Sequence, residues 1–225
     1  MKPIIVTITG PSSSGKTVLS RELSQNGFEP LISTTTRAPR KGEQDGRDYY
    51  FITPERFLEK LANNELIENV EYDGNYYGVT AKEAMRSFEA GKPAVLVAEP
   101  NGCQQIHQLC EERGWDVLRV FVNNPIPVLV DRMLRRFHED TKALDLSTDE
   151  GAAELSSKVK AHGNRILKIL DQEQKEWVKP AYDGTVKYDL LVDRFDGNQT
   201  EVVQQVKDIV RPYLKGPGVA RKPKP

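Results

Sequence analysis

The string Gly10-Pro11-Ser12-Ser13-Ser14-Gly15-Lys16-Thr17 follows an apolar, β-branched run at 3–9 (PIIVTIT) and opens a helical pattern at 17–25 that Asn26-Gly27 stops. A continuous apolar run of this length predicts a strand buried on both faces of a parallel sheet. Asn-Gly is a good helix terminator. Strand, glycine-rich turn and helix therefore form one unit, and G-x-x-x-x-G-K-[ST] stands in the context that gives it meaning. Successive backbone N–H groups and a helix N-terminus can surround a phosphate there, and glycine lets the backbone approach without a clashing Cβ.

The rest of the chain alternates in the same way. Core strands are predicted at 93–97, 117–122 and 188–192, with helices at 102–112, 126–136, 154–177 and 200–214. That alternation implies right-handed βαβ crossovers and a parallel central sheet with helices on both faces, a three-layer α/β fold. Between 34 and 77 the pattern shifts to shorter strands at 47–52, 66–72 and 75–79, around a helix begun by Thr53-Pro54-Glu55. This segment reads as an α+β insertion. Residues 138–154 are polar and read as a mobile excursion between two helices. Residues 216–225, rich in Gly and Pro, read as a disordered tail, with Arg221, Lys222 and Lys224 solvated.

The 32 Lys and Arg balance 33 Asp and Glu, a net charge of -1 that supplies no global field for nucleic acid or an anionic membrane. No apolar run approaches the roughly 18 residues of a membrane span, and the five-residue apolar stretch near the start is too short for a signal-peptide core. Two cysteines make no disulfide framework, and a chain of 225 residues needs none. The expectation is a cytoplasmic protein (host cytoplasm if viral); the sequence sets no oligomeric state. Cys103, His107 and Cys110 share a helix face but lack a usual zinc spacing, and are read as packing. His138 and His162 are read as solvated.

The glycine-rich string assigns Gly10, Ser12, Ser13, Ser14, Gly15, Lys16, Thr17 and Val18 to the phosphates of a nucleotide, which the resemblance stated below implies is ATP. Lys16 reaches the β- and γ-phosphates as a catalytic cation, and Thr17 offers its hydroxyl to Mg²⁺. A second cluster follows. Ser33-Thr34-Thr35-Thr36-Arg37-Ala38-Pro39-Arg40 sets two guanidinium forks around a proline turn, a geometry suited to phosphate oxygens. Downstream come Gly42-Glu43, Asp48-Tyr49-Tyr50-Phe51, Ile67-Glu68 and Asn75-Tyr76-Tyr77-Gly78.

Together with the loop, these strings resemble the guanylate kinase family, which carries S-x-T-T-R-x-x-R-x-G-E-x-x-G-x-D-Y-x-F, then I-E, then N-Y-Y-G-[ST]. The resemblance is close over about residues 3–135 and loose beyond. It implies a core of 1–33, 80–137 and 165–215, a nucleoside-monophosphate-binding region at 34–79 and a helical lid at 138–164. It also implies transfer of the ATP γ-phosphoryl group to GMP or dGMP. Arg37, Arg40, Tyr49 and Tyr77 then fall to the acceptor phosphate, with Arg37 also catalytic, and Ser33, Glu68 and Glu99 to the guanine edge. A carboxylate at Glu68 can accept from N1–H and N2–H of guanine together.

Three features depart from the family. Val97 replaces the first Asp of D-x-D, and Glu99 stands for the second. Val79, at the end of the base-binding string, replaces a hydroxyl. The lid lacks R-G-R-G; Arg132, Arg135 and Arg136 precede the excursion and Arg165 follows it, with Arg136 and Arg165 the candidate catalytic pair. These departures leave two other readings open: a phage-type kinase for another or modified deoxynucleoside monophosphate, and a non-catalytic guanylate-kinase-like interaction module. The retained phosphate loop argues against the module.

Overall fold

The computed structural model describes residues 2–40, 42–72, 74–193 and 199–214; the expected tail lies outside them. They divide into two compact units, one built from 2–9, 17–120 and 199–214 and the other from 10–16 and 121–193.

The first unit begins with β1 (Ile4–Thr9), whose six residues are all buried, and α1 (Lys16–Gln25), which turns Leu19 and Leu23 inward one helical turn apart. α1 ends where Gly27 takes φ 95° and Phe28 N–H donates back to Leu23 O at 3.2 Å. Next come β2 (Glu29–Pro30), β3 (Thr34–Thr35), β4 (Tyr50–Phe51), α2 (Pro54–Ala62), β5 (Leu66–Tyr72), β6 (Asn75–Thr80) and α3 (Ala81–Glu89). β7 (Ala94–Val97), α4 (Pro100–Arg113) and β8 (Asp116–Val122) complete the run. β7 pairs in parallel with both β1 and β2, so the order in this unit is β2-β7-β1-β8. Continuous burial of Ile4, Ile5, Val6, Ile8 and Leu96 is what a two-sided parallel sheet requires, each such side chain contributing about 1.5–3 kcal/mol.

The insertion forms a separate sheet of order β4-β3-β6-β5. Only Tyr50–Phe51 of the strand expected at 47–52 is extended. Arg47 and Asp48 N–H both turn back on Gln44 O, and the Asp48 carboxylate accepts from Gln44 N–H at 2.9 Å, so the start of that segment is a turn. α2 starts at a Thr53 cap with proline in its first turn, as its sequence predicts. α3, not foreseen, is capped by the Thr80 hydroxyl accepting from Glu83 N–H at 3.2 Å.

The second unit contains α5 (Ile126–Thr141), α6 (Asp149–Leu170), a π-helical segment (Gln174–Val178), α7 (Lys179–Tyr182) and β9 (Leu190–Val192). β8 runs into it, and Asn123 N–H donates to Val192 O at 2.9 Å. Leu129, Met133 and Ile169 close a small core between α5 and α6.

The polar excursion expected at 138–154 is mostly helical: α5 continues to Thr141, and α6 begins at Asp149 on a Thr148 cap. Gly151 makes the tight entry possible, since a Cβ there would lie 2.0 Å from Asp145 O. His162 is also not solvated. It is 7% exposed, packs edge-on to Phe137 and places Nε2 3.2 Å from Asp140 Oδ2. Two helices packed side by side shelter a histidine that the polar sequence alone leaves in water. Among the described residues no helix is long and apolar enough to cross a membrane.

Candidate active site

The phosphate loop belongs to the second unit and is held from outside by three side chains. Gly10 has φ 143°, and a Cβ on it would lie 2.0 Å from Val122 O, so only glycine permits the turn off β1. Ser13 takes φ 64°, a left-handed conformation that costs about 1–2 kcal/mol in a non-glycine residue and must be imposed by its surroundings. Asn124 Nδ2 donates to Ser14 O at 2.8 Å, and Arg132 Nη1 donates to Ser13 O and Ser14 O at 3.2 Å each. On the other flank, Ser12 donates twice to Glu173, from N–H to Oε2 at 2.9 Å and from Oγ to Oε1 at 2.8 Å. Lys16 Nζ folds onto Gly10 O and Pro11 O at 2.8 Å, a ring closed by the loop's own carbonyls. Thr17 is exposed in the first turn of α1, with Val18 half-buried beside it. Ser14 is fully buried, and its Oγ lacks a hydrogen-bond partner among the described residues.

Thr17 fits the needs of Mg²⁺ in a limited way. No group of three or more His, Cys, Asp or Glu that could hold a metal exists among the described residues. Mg²⁺ keeps most of its water and takes few protein ligands when phosphates are present, so one exposed hydroxyl at the loop is compatible with an ion carried in by the nucleotide.

The acceptor candidates lie in the first unit. Arg37, just after β3, sends Nη1 and Nη2 to the two oxygens of Glu43 at 3.0 Å each, while Glu43 also accepts from Arg40 N–H at 2.7 Å. The Arg37 guanidinium carbon lies 5.3 Å from the centre of the Tyr49 ring and 5.9 Å from that of Phe51. Burial works against the charge on Arg37, but Glu43 more than offsets it and holds the guanidinium pKa above its ordinary value. Burial likewise opposes ionisation of Glu43, and Arg37 with the Arg40 N–H prevails, keeping that carboxylate below its usual range. Tyr49 and Tyr77 meet edge-on at 6.1 Å, and burial raises the Tyr49 phenol. Arg37, Tyr49 and Tyr77, separate in sequence, thus form one cluster.

Glu68 and Glu99 form a second. Glu68 on β5 is 3% exposed and is pushed up to about 8, first by burial and then by the charge of Glu99, against the Val79 N–H, which favours the ionised form. Its Oε2 has no hydrogen-bond partner among the described residues, and a Cβ on Gly102 would lie 2.7 Å from it. Glu99 is half-buried at the N-terminus of α4. Val79, paired with Glu68 across β5 and β6, is 0% exposed and packs in a cluster with Ile5, Leu31, Ala84 and Leu96. Its side chain belongs to the core and its backbone acts on Glu68. Ser33 is half-buried, and its carbonyl accepts from Tyr50 N–H at 2.9 Å.

Arg136 is exposed on α5 and Arg165 half-buried on α6; both bear electrostatically on His162. Four residues were not singled out from sequence: Glu43, Asn124, Arg132 as a loop contact, and Glu173. Glu43 stood within the quoted string, six positions from Arg37. Glu173 left no local signal, being 161 residues from Ser12.

The guanylate kinase family model matches residues 1–159, which contain the loop, the arginine and tyrosine strings and both carboxylates. Guanylate kinase of Lactobacillus acidophilus (strain ATCC 700396 / NCK56 / N2 / NCFM) is 31% identical over 220 residues, 95% of this chain and 96% of that protein. Guanylate kinase of Latilactobacillus sakei subsp. sakei (strain 23K) is 31% identical over 156 residues, 68% of this chain and 75% of that protein. The crystal structure of guanylate kinase from Anaplasma phagocytophilum matches with a TM-score of 0.60 and 26% identity, covering 95% of this chain and 87% of that one. A family model spanning most of the chain, joined by a relative aligned over nearly the whole length of both proteins, shows that this chain belongs to the guanylate kinase family.

Proposed function

We propose that the chain transfers the γ-phosphoryl group of ATP to GMP or dGMP, in the cytoplasm and with Mg²⁺. The observation that carries this reading is Glu68, a buried carboxylic acid beside Glu99 with one oxygen unpartnered among the described residues. An unsatisfied buried acceptor is costly, by about 1–3 kcal/mol, and two adjacent N–H donors of a guanine edge would relieve it. Adenine offers no such pair.

The chemistry asks little of a general base, because the phosphate of a nucleoside monophosphate is already ionised near neutral pH. Catalysis then comes from positioning and charge neutralisation. The phosphate loop of residues 10–17 would hold the ATP phosphates, with Lys16 released from Gly10 O and Pro11 O to follow the γ-phosphate. Arg37, preset by Glu43, and Arg40, with Tyr49 and Tyr77, would hold the acceptor phosphate. Arg136 and Arg165 are proposed to neutralise the group in flight. Mg²⁺, met by the Thr17 hydroxyl, would supply charge neutralisation of the β- and γ-phosphates. Residues 34–79 act as the acceptor-binding region and 138–164 as the lid, which excludes water so that ATP is not hydrolysed.

The test is an ADP-release assay with ATP and a panel of ribo- and deoxynucleoside monophosphates. GMP or dGMP is expected to give the highest kcat/KM. Lys16→Met is expected to lose about 10²–10³ in turnover while remaining folded. Fastest turnover with a pyrimidine monophosphate, or near-parental turnover in Lys16→Met, would overturn the reading.

A further inference from the structure

An acidic side chain beside an anion-binding loop needs a reason, because its charge opposes the phosphates the loop exists to hold. Glu173 is 1% exposed, and both of its oxygens are spent on Ser12, one on the main-chain N–H and one on the hydroxyl. Arg132 and Asn124 hold the neighbouring Ser13 and Ser14 carbonyls. In a trans peptide the C=O and the following N–H point in opposite directions. Fixing Ser14 O on Asn124 and Arg132 therefore turns the Gly15 N–H away from both. The left-handed Ser13 sits between the two anchors, so its conformation is imposed from either side.

Glu173 also occupies a particular place in the chain. α6, which carries Arg165, ends at Leu170; the backbone breaks at Asp171 (φ -121°, ψ -74°), and Glu173 immediately precedes the π-helical segment Gln174–Val178. π-helical turns are rare and re-aim the side chains around them. Glu173, which meets Ser12, lies between the break at Asp171 and this wide turn.

We propose that Glu173 is a positioning residue for the ATP phosphates, fixing the loop in its phosphate-accepting shape and tying it to the end of α6. This rests on the ATP reading above, and it predicts a role at the donor nucleotide with little effect at the acceptor. The contact also makes the loop sensitive to the position of α6, because a shift of that helix end moves the Ser12 anchor.

The test compares Glu173→Ala, Glu173→Gln, Ser12→Ala and the double variant Ser12→Ala/Glu173→Ala with the parent. Thermal melting checks folding, calorimetry measures ATP affinity, and KM for ATP and for GMP is read separately. Glu173→Ala is expected to weaken ATP binding about ten- to hundred-fold, the scale of hydrogen bonds to a charged group, with KM for GMP within about two-fold of parent. Glu173→Gln, which keeps one acceptor oxygen, should fall between parent and Glu173→Ala. Ser12→Ala removes the hydroxyl contact and keeps the N–H, so about two- to ten-fold is expected, and the double variant should be no weaker than Glu173→Ala. A folded Glu173→Ala that binds ATP as well as or better than parent would overturn the role of Glu173, as would additive losses in the double variant. If Glu173→Ala does not fold, unchanged ATP affinity in Ser12→Ala overturns it equally. A parent protein that binds no ATP would instead overturn the nucleotide reading itself.

Discussion

Glu43 holds the Arg37 guanidinium with both carboxylate oxygens at 3.0 Å, while the centre of the Tyr49 ring lies 5.3 Å from the guanidinium carbon. The arginine is therefore held in one geometry by protein contacts alone, so a ligand that met it there would be spared the cost of ordering a long side chain.

Arg37→Ala is expected to raise KM for GMP and lower kcat, with ATP affinity nearly unchanged. Glu43→Gln should produce the same pattern at smaller size, about three- to ten-fold in kcat/KM for GMP, because the cation remains but its fork loses a charged partner. Steady-state kinetics paired with ATP calorimetry checks both. An equal loss in ATP affinity would remove Arg37 from the acceptor side.

Glu68, pushed up to about 8, is protonated in the free protein at pH 7. Guanine N–H donors favour the ionised form, so GMP binding at pH 7 should release a proton, and affinity should rise between pH 6 and pH 8. Calorimetry in buffers of different ionisation enthalpy measures that proton directly. The sign for stability is opposite to that of an ordinary carboxylate. The unfolded chain loses this proton near its ordinary value and the folded chain near 8, so stability falls as pH rises through that window. Glu68→Gln should melt above parent at pH 9, lose that advantage below about pH 4.5, and lose guanine preference at every pH.

Val79→Ser would restore the hydroxyl found in the family, but at a site that is 0% exposed and packed with Ile5, Leu31 and Leu96. The expected result is a loss of about 1–3 kcal/mol in stability, seen as a lowered Tm, from a buried hydroxyl and lost methyl contacts. A Tm equal to parent, with improved discrimination for guanine, would show that the hydroxyl finds the base and that the position is not simply core.

His162 has its pKa lowered, first by burial and then by the charges of Arg165 and Arg136, against the pull of Asp140. The unfolded state takes up a proton near 6.5 and the folded state resists it, so this residue removes stability as pH falls below that value. Denaturant melts from pH 7.5 to pH 5 should show a gentler acid-side loss for His162→Gln than for parent. Parallel slopes would mean that the imidazole does not report on the α5–α6 contact.

Much of this protein was legible before folding was considered. The run at 3–9, the octapeptide at 10–17 and the Asn26-Gly27 stop are local: each needs only its own backbone geometry, and together they fix a strand, a phosphate loop and a helix. The strings around Arg37, Tyr49, Glu68 and Tyr77 were legible for the same reason, since each carries its spacing within a few residues. Long-range contacts were not. Glu173 reaches Ser12 across 161 residues and Asn124 reaches Ser14 across 110, and no periodicity encodes either pair. The polar composition of 138–154 concealed its helices, and only the family resemblance implied a helical lid there; in the fold Thr148 caps α6 and Gly151 admits the loop beneath it. Protonation belonged wholly to the tertiary structure. Glu68 and His162 are ordinary titrating residues in sequence, and only the removal of water around them, with the charge of Glu99 acting on one and those of Arg165 and Arg136 on the other, raises the first pKa and lowers the second.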